Sequence, residues 1–271
     1  DPFGRILSGT FNGMTIIDGI NTYSINDEIL GKNRAITHNI SRIIPIKENS
    51  FLISHSSGIM ELYSKKFNGL DFNFIPSTIS IPYNDSTYLL GSWSNSLFLV
   101  DKNEKGEAYP NENPFYLFGD NLNSNRVNDM IMDSSGRIWI ASDKGMSLLS
   151  DNTVTDINDG NLKQKINTIK EGKNGIMWIG ADNGFYSFNP ESGSSDIYDE
   201  EVTSVSSIEF DKSNRMWVGT SNTLLCYTVE NNSEGIELKN KMFVNENYGV
   251  SSNEINSICY DSLRNSLWIG T

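Results

Sequence analysis

The chain has 271 residues, 37% hydrophobic and 11% aromatic, enough to bury a large core, and its seven prolines and 22 glycines show no low-complexity bias. The net charge of −13 repels phosphate backbones and anionic lipid surfaces, which argues against a nucleic-acid partner and against direct membrane contact. No run of 18 apolar residues is present, and the opening Asp1-Pro2-Phe3-Gly4 is neither a signal peptide nor a Met start, so the chain reads as a piece of something longer.

A short repeat runs through the sequence. Gly4-Arg5-Ile6-Leu7 is the first copy, followed by Gly13-Met14. Ser50-Phe51-Leu52-Ile53 leads to Gly58 at the same offset, and Tyr88-Leu89-Leu90-Gly91 is a third degenerate copy. Four clearer copies follow, ending in Trp139-Ile140-Ala141, Trp178-Ile179-Gly180, Trp217-Val218-Gly219 and Trp268-Ile269-Gly270. The seven anchors are Leu7, Leu52, Leu89, Trp139, Trp178, Trp217 and Trp268, separated by 45, 37, 50, 39, 39 and 51 residues. That period is the length of one four-stranded propeller blade, about 40–50 residues.

The fourth copy shows the expected strands. Val127, Asp129 and Ile131 alternate with Asn128, Met130 and Met132, a period-2 strand that suits the innermost place in a blade. Asp133-Ser134-Ser135-Gly136 is a turn, with Asp bonding its own backbone and Gly taking positive φ. The second strand covers Arg137 to Ala141, Asp143-Lys144-Gly145 makes the next turn, and Met146 to Leu149 is the third strand. Asn152 to Ile157 is the outermost. The anchor Trp sits mid-strand in the wedge between blades, where burial of its ~150–250 Å² stabilises the fold by about 4–6 kcal/mol. Leu at the first three anchors fills less, so those interfaces need compensating residues. Both chain ends supply a blade's second strand, Arg5 to Gly9 and Leu267 to Gly270. The expected architecture is therefore all-β, a single β-propeller domain over 1–271 with seven repeat motifs, a six- to seven-bladed ring or an arc cut from a longer array.

Chemistry-bearing motifs are sparse. There is no Walker loop, no G-x-S-x-G elbow and no H-E-x-x-H helix. His38, before an inner strand, and His55, in a turn after a second strand, are the two histidines and read as polar loop residues. Cys226 and Cys259 lack metal-type spacing; they read as two buried thiols, with a disulfide left open. Asp101-Lys102-Asn103-Glu104-Lys105-Gly106 followed by Glu112 approaches a calcium loop, but Lys105 stands at a ligand position and opposes a dication, so a surface hairpin is expected. The acidic run Asp199-Glu200-Glu201 reads as a solvated loop, and the aromatics of 114–118 as an outer strand. Three N-x-S sequons, at Asn39, Asn84 and Asn231, are no more than an Asn-rich chain produces. No catalytic residue, metal ligand or cofactor is expected.

The turns after the second strands carry the candidate binding residues: His55, Trp93 with Asn95, Asp143 with Lys144, Asp182 with Asn183, and Asn222. On a propeller these turns rim one face. Saccharide sites combine an aromatic platform with planar polar groups, which Trp93, Asp182 and Asn183 could supply. Asp-Asn-Gly and Asp-Lys-Gly are also plain turn formers. Trp93 stands apart because no turn requires a Trp.

The run Gly249-Val250-Ser251-Ser252-Asn253-Glu254-Ile255, continuing to Leu267-Trp268-Ile269-Gly270-Thr271, resembles the two-component regulator propeller repeat, as does Asn121 to Val127 running on to Trp139 and Gly145. The sequence departs from that pattern at Leu7, Leu52, Leu89 and Asn95. The resemblance implies the periplasmic sensor region of a hybrid two-component regulator: a non-enzymatic module that recognises oligosaccharides and signals to a histidine kinase elsewhere in the parent chain. It also implies an adjacent propeller or immunoglobulin-like domain as a neighbour, with a homodimer open. Two alternatives stand beside it: a streptogramin-lyase-like enzyme, which needs a His–acid pair and a divalent metal, and a propeller that only docks another protein.

Overall fold

In a computed structural model, the described residues are 4–25, 39–46, 50–56, 58–63, 77–93, 97–102, 108–110, 122, 124, 126–151, 153–199, 201–232 and 235–271. His38, Asn95, most of the calcium-like string, the 114–118 aromatics and Glu200 lie outside them. The fold is a β-propeller whose described strands form seven sheets, each a meander in sequence order.

Sheet 1 contains β1 (Ile6–Thr10), β2 (Gly13–Asp18) and β3 (Asn21–Ile25), and sheet 2 contains β4 (Ile40–Ile46), β5 (Ser50–His55) and β6 (Gly58–Tyr63). Sheet 3 contains β7 (Ser77–Pro82), β8 (Thr87–Ser92), β9 (Leu97–Lys102) and β10 (Ala108–Pro110). Sheet 4 contains β11 (Val127–Met132), β12 (Ile138–Ser142), β13 (Gly145–Ser150) and β14 (Thr153–Asp156). Sheet 5 contains β15 (Ile166–Glu171), β16 (Met177–Ala181), β17 (Gly184–Asn189) and β18 (Ser194–Ile197). Sheet 6 contains β19 (Val205–Phe210), β20 (Arg215–Thr220), β21 (Leu224–Asn232) and β22 (Gly235–Val244), and sheet 7 contains β23 (Ser257–Asp261) and β24 (Ser266–Gly270). Each of the seven anchors falls in a different sheet; six lie on the second strand of their sheet, and Leu7 lies on β1, the first described strand of sheet 1.

The chain divides into two compact units, residues 1–130 with 150–154 and residues 131–149 with 155–271, and the division runs through sheet 4. In the first unit, Met14, Ile16, Ile40, Phe51 and Ile53 form one core cluster, and Leu52, Ile59, Tyr88, Leu90 and Phe98 another. Tyr88 and Phe98 supply the bulk that a Leu anchor lacks. In the second unit, Trp139 packs with Ala141, Ile166, Met177 and Phe188, and Trp178 with Phe185, Val205, Ile208 and Tyr227. Every such cluster joins strands of consecutive sheets, so the hydrophobic faces stack sheet on sheet.

Three local devices recur. The first is a β-bulge near the start of the inner strand, at Ser41, Thr78, Asn167 and Ser206, which the ladders skip. The bulge aims that side chain at the next sheet: Ser41 Oγ donates to the Ser77 carbonyl at 2.7 Å, Thr78 Oγ1 to Val127 at 2.7 Å and Asn167 Nδ2 to Val205 at 3.1 Å, while Ser206 Oγ bonds the Ile255 carbonyl. The second lies two residues after the anchor. There a Cβ on Gly9, Gly91, Gly180 or Gly219 would stand 2.5–2.6 Å from the side chain of Ile40, Val127, Val205 or Ile255, the branched residue that opens or precedes the next inner strand.

The third device is a buried carboxylate. Asp133 accepts from the backbone N–H groups of Ser135 and Arg137 (both 2.9 Å), from Arg137 Nε (2.7 Å) and from Trp139 Nε1 (2.8 Å). Asp211 repeats the set with Ser213 N, Arg215 N, Arg215 Nε and Trp217 Nε1 at 2.9, 3.1, 2.7 and 3.1 Å. Burial opposes ionisation of both, but the bonds from Trp, Arg and backbone outweigh it and hold both carboxyls below the ordinary range. A depressed folded pKa contributes stability that is present above the unfolded value of about 4 and is lost as pH falls through the folded value. The Asp133→Asn, Asp211→Asn double variant should therefore melt lower at pH 7 and lose less further stability below pH ~4 than the parent. Parallel pH–melting curves for the two proteins would refute this.

The anchors differ in burial. Trp139 and Trp178 are each 1% exposed, whereas Trp268 is 36% exposed and Trp217 half-buried. Full burial of every anchor thus fails at Leu7 and Trp217, which are half-buried, and most at Trp268 in sheet 7, where β24 pairs only with β23 among the described residues. Both cysteines are free; Cys226 is buried, but Cys259, on β23, is exposed, which corrects the expectation of two buried thiols.

Candidate functional site

The turns after the second strands place the candidate residues as follows. His55 is the last residue of β5 and is 0% exposed, which corrects its placement in an open turn. The strand runs one residue further than the turn signal indicates, pairing His55 with Gly58 and Ile40 and drawing the imidazole into the core. Trp93 follows β8 and is 46% exposed. The Arg126 guanidinium carbon lies 4.5 Å from its ring centroid, a cation–π pair that fixes the indole while leaving much of it open to solvent. Arg126 immediately precedes β11 and was not singled out in the sequence, since the contact joins residues far apart in the chain.

The remaining candidates belong to the second unit. Asp143 is half-buried and Lys144 exposed in the β12–β13 turn, where the Lys144 backbone N–H donates to Ser142 Oγ at 3.2 Å. Asp182 accepts from Asn167 Nδ2 at 2.9 Å and faces Lys165 Nζ at 3.4 Å. Asn183 Oδ1 accepts from the Tyr186 hydroxyl at 2.8 Å, and that hydroxyl accepts from Gln164 Nε2 at 3.0 Å. The turn thus gathers Lys165, Asn167, Asp182, Asn183, Gln164 and Tyr186 into one polar cluster. Lys165, Asn167 and Gln164 were missed because they precede or open β15 rather than lie in a turn after a second strand. Asn222 Oδ1 accepts from Thr220 Oγ1 at 2.8 Å, which ties it to its own turn. Trp93 belongs to the first unit and Asp182 and Asn183 to the second.

None of these residues lines the cleft of about 580 Å³ that opens at the other end of sheets 4 and 5. Its walls are the β11–β12 turn with Arg137, the β15–β16 turn with Gly172, and the β17–β18 turn with Asn189 and Glu191. Ser134 bridges two of these walls, its N–H and Oγ donating to the two oxygens of Glu171 at 2.9 and 2.5 Å. Among the described residues no group of three or more His, Cys, Asp or Glu side chains could hold a metal ion.

Residues 121–144 and 200–222 match the two-component regulator propeller family model. These two segments are two-component regulator propeller repeats. The matched segments include β11 with β12 and β19 with β20, the parts that hold the Asp133 and Asp211 hubs. No curated protein sequence matches the chain. Among solved structures, the extracellular domain of a one-component system, BT4673, from B. thetaiotaomicron superposes with a TM-score of 0.77 at 18% identity, over 100% of this chain and 36% of that one. The extracellular domain of a hybrid two-component system, BT3049, from the same organism gives 0.72 at 19% identity, over 100% and 38%. The WD40 β-propeller domain of Doa1 gives 0.67 at 12% identity, over 98% and 86%. At these identities the likeness establishes the propeller fold. The chain spans little more than a third of the two extracellular domains. Among the described residues no helix is long and apolar enough to cross a membrane.

Proposed function

We infer that this propeller is the ligand-sensing part of a periplasmic two-component sensor, binding an oligosaccharide and signalling to a histidine kinase elsewhere in the parent chain. The observation that carries the reading is Trp93, a large aromatic left 46% exposed and held by Arg126. No turn requires a Trp, and a fixed, solvent-open indole is a stacking platform for a sugar ring, with the guanidinium beside it as a donor to hydroxyls. The repeat family supports the sensor role. Propeller sheets are stiff, so binding acts by shifting how the domain sits against a neighbouring propeller, an immunoglobulin-like domain or a second copy, as a population shift.

The test is a panel of glycan-derived oligosaccharides screened by thermal shift, followed by calorimetry on the best binder. Loss of an aromatic anchor costs about 2 kcal/mol, so Trp93→Ala should weaken binding some thirtyfold with little change in melting temperature. Equal affinity in Trp93→Ala removes the platform from the site, and a panel with no binder removes the oligosaccharide reading.

A further inference from the structure

A second aromatic stands on the face that carries Trp93. Phe11, in the β1–β2 turn, is 83% exposed. Its turn is the twin of the β12–β13 turn in sheet 4. Thr10 Oγ1 donates to the Gly13 carbonyl at 3.0 Å and accepts from the Asn12 N–H at 3.2 Å, and Ser142 Oγ does the same with Gly145 and Lys144 at 3.0 and 3.2 Å. Gly13 and Gly145 end the two turns at positive φ. These bonds fix the turn without the Phe11 side chain, and where Phe11 stands sheet 4 has Asp143. Phe11 and Trp93 both belong to the first compact unit, and strand contacts place them on one face. A Cβ on Gly9, near the end of β1, would stand 2.5 Å from Ile40 Cγ2, and Ile40 pairs with His55, the last residue of β5. Ser41 Oγ reaches the Ser77 carbonyl at 2.7 Å, and Ser77 pairs with Ser92, the last residue of β8. The ends of β1, β5 and β8 thus lie side by side in sheet order, and so do the turns after them, with Phe11, Ser56 and Trp93.

We propose that Phe11 is a distal stacking platform for a linear oligosaccharide that runs from Trp93 across the β5–β6 turn to Phe11, so that this face selects long chains over short ones. The proposal rests on the reading of Trp93 as a sugar platform. Packed sheets lie about 10 Å apart, so two sheets of separation put the rings roughly 20 Å from each other. That gap is wider than a disaccharide covers. A protein partner calls for a contiguous apolar patch inside a polar rim. Here two flat rings are separated by a turn whose described residue, Ser56, is polar and exposed. That spacing suits a chain of sugar rings, whose apolar faces stack on aromatics while their hydroxyls meet polar groups. A ligand already held at Trp93 reaches Phe11 in an intramolecular step, and its affinity rises accordingly.

The experiment is calorimetry with size ladders, disaccharide to octasaccharide, of linear xylan, galactan and mannan. The proteins are the parent, Phe11→Ala, Phe11→Tyr, Trp93→Ala and Ile20→Ala. In the best-binding series the octasaccharide should bind the parent about tenfold tighter than the disaccharide or more. Phe11→Ala should weaken the octasaccharide about tenfold and erase most of that gain with length, and Phe11→Tyr should keep it. Ile20 is 100% exposed in the β2–β3 turn, at the opposite end of sheet 1, so Ile20→Ala should bind as the parent does. A series that loses affinity in Trp93→Ala but binds the parent and Phe11→Ala alike overturns the distal platform and leaves the Trp93 reading standing. Equal affinity of the parent for disaccharide and octasaccharide has the same meaning. No binding in any series, or unchanged binding in Trp93→Ala, overturns both. A change of oligomeric state in Phe11→Ala, read by sedimentation, assigns the ring to an interface between copies and also overturns the proposal.

Discussion

Gly180→Val is expected to destabilise the second unit by about 2–4 kcal/mol, lowering its melting temperature by roughly 6–10 °C. A Cβ at this position would meet Val205 Cγ1 at 2.5 Å and Thr168 Cγ2 at 2.7 Å, one from the next sheet and one from its own. Neither neighbour is the free end of a flexible chain: both are β-branched, on strands fixed by ladders, so relief requires the two sheets to part. The equivalent positions show what the fold accepts. Sheet 4 has Ala141 there, packed with Ile166, and sheet 2 has Ser54, which shares a hydrogen bond with Ser80 at 2.7 Å. Gly180→Ala should therefore cost less than half as much as Val, and the order Gly, Ala, Val should hold at Gly219 as well. Thermal unfolding of the three Gly180 proteins checks this, and a Val variant that melts within a degree of the parent would show that the sheets are not in close contact there.

That contact explains the last letter of the Trp-Ile-Gly motif, which the sequence displays without its reason. The repeat itself was readable because each copy combines a period-2 run, a turn with a positive-φ residue and a large apolar anchor. In sheet 4 the expected strands agree with β11 to β14 to within two residues at each end. Local pattern does not encode contacts between repeats. The residues aimed by the inner-strand bulges are ordinary Ser, Thr and Asn in sequence, and only the bulge turns them toward a carbonyl of the next sheet. Anchor burial is a property of the neighbouring sheet too, which is why identical Trp residues range from 1% exposed at Trp139 to 36% at Trp268.

The candidate sites divide along the same line. Trp93 was legible because it violates local logic: a turn that needs no aromatic contains one. His55 was misplaced by one residue, enough to change a rim residue into a core residue, because strand ends are set by pairing rather than by composition. Arg126, Lys165 and Asn167 reach their partners from the approach to, or the start of, a following inner strand, where nothing marks them in sequence. The carboxylate hub was only half legible: Asp133 opens a turn by local rule, but its role as acceptor for the anchor indole shows only in the fold.

That role predicts a second large effect. Asp133→Ala should destabilise by about 3–5 kcal/mol, because it strips one acceptor from Trp139 Nε1, from the Ser135 and Arg137 backbone N–H groups and from the Arg137 side chain together. The Trp139 indole is 1% exposed, so its N–H gains little from water. Asp211→Ala should cost less, since Trp217 is only half-buried and Arg215 is 47% exposed, and solvent can replace the carboxylate for both. At the same offset in sheet 5 the chain has Gly172, and there the Trp178 indole lies where a side chain would begin, its Nε1 2.6 Å from the place of a Cβ. In the Asp133→Ala background, Trp139→Phe should then recover part of the loss, as it removes the stranded donor while keeping most of the ring. Urea unfolding of the four proteins in this cycle measures the coupling. A coupling near zero would mean that the carboxylate stabilises the turn alone and does not hold the anchor, and the link between the two halves of the repeat would have to be abandoned.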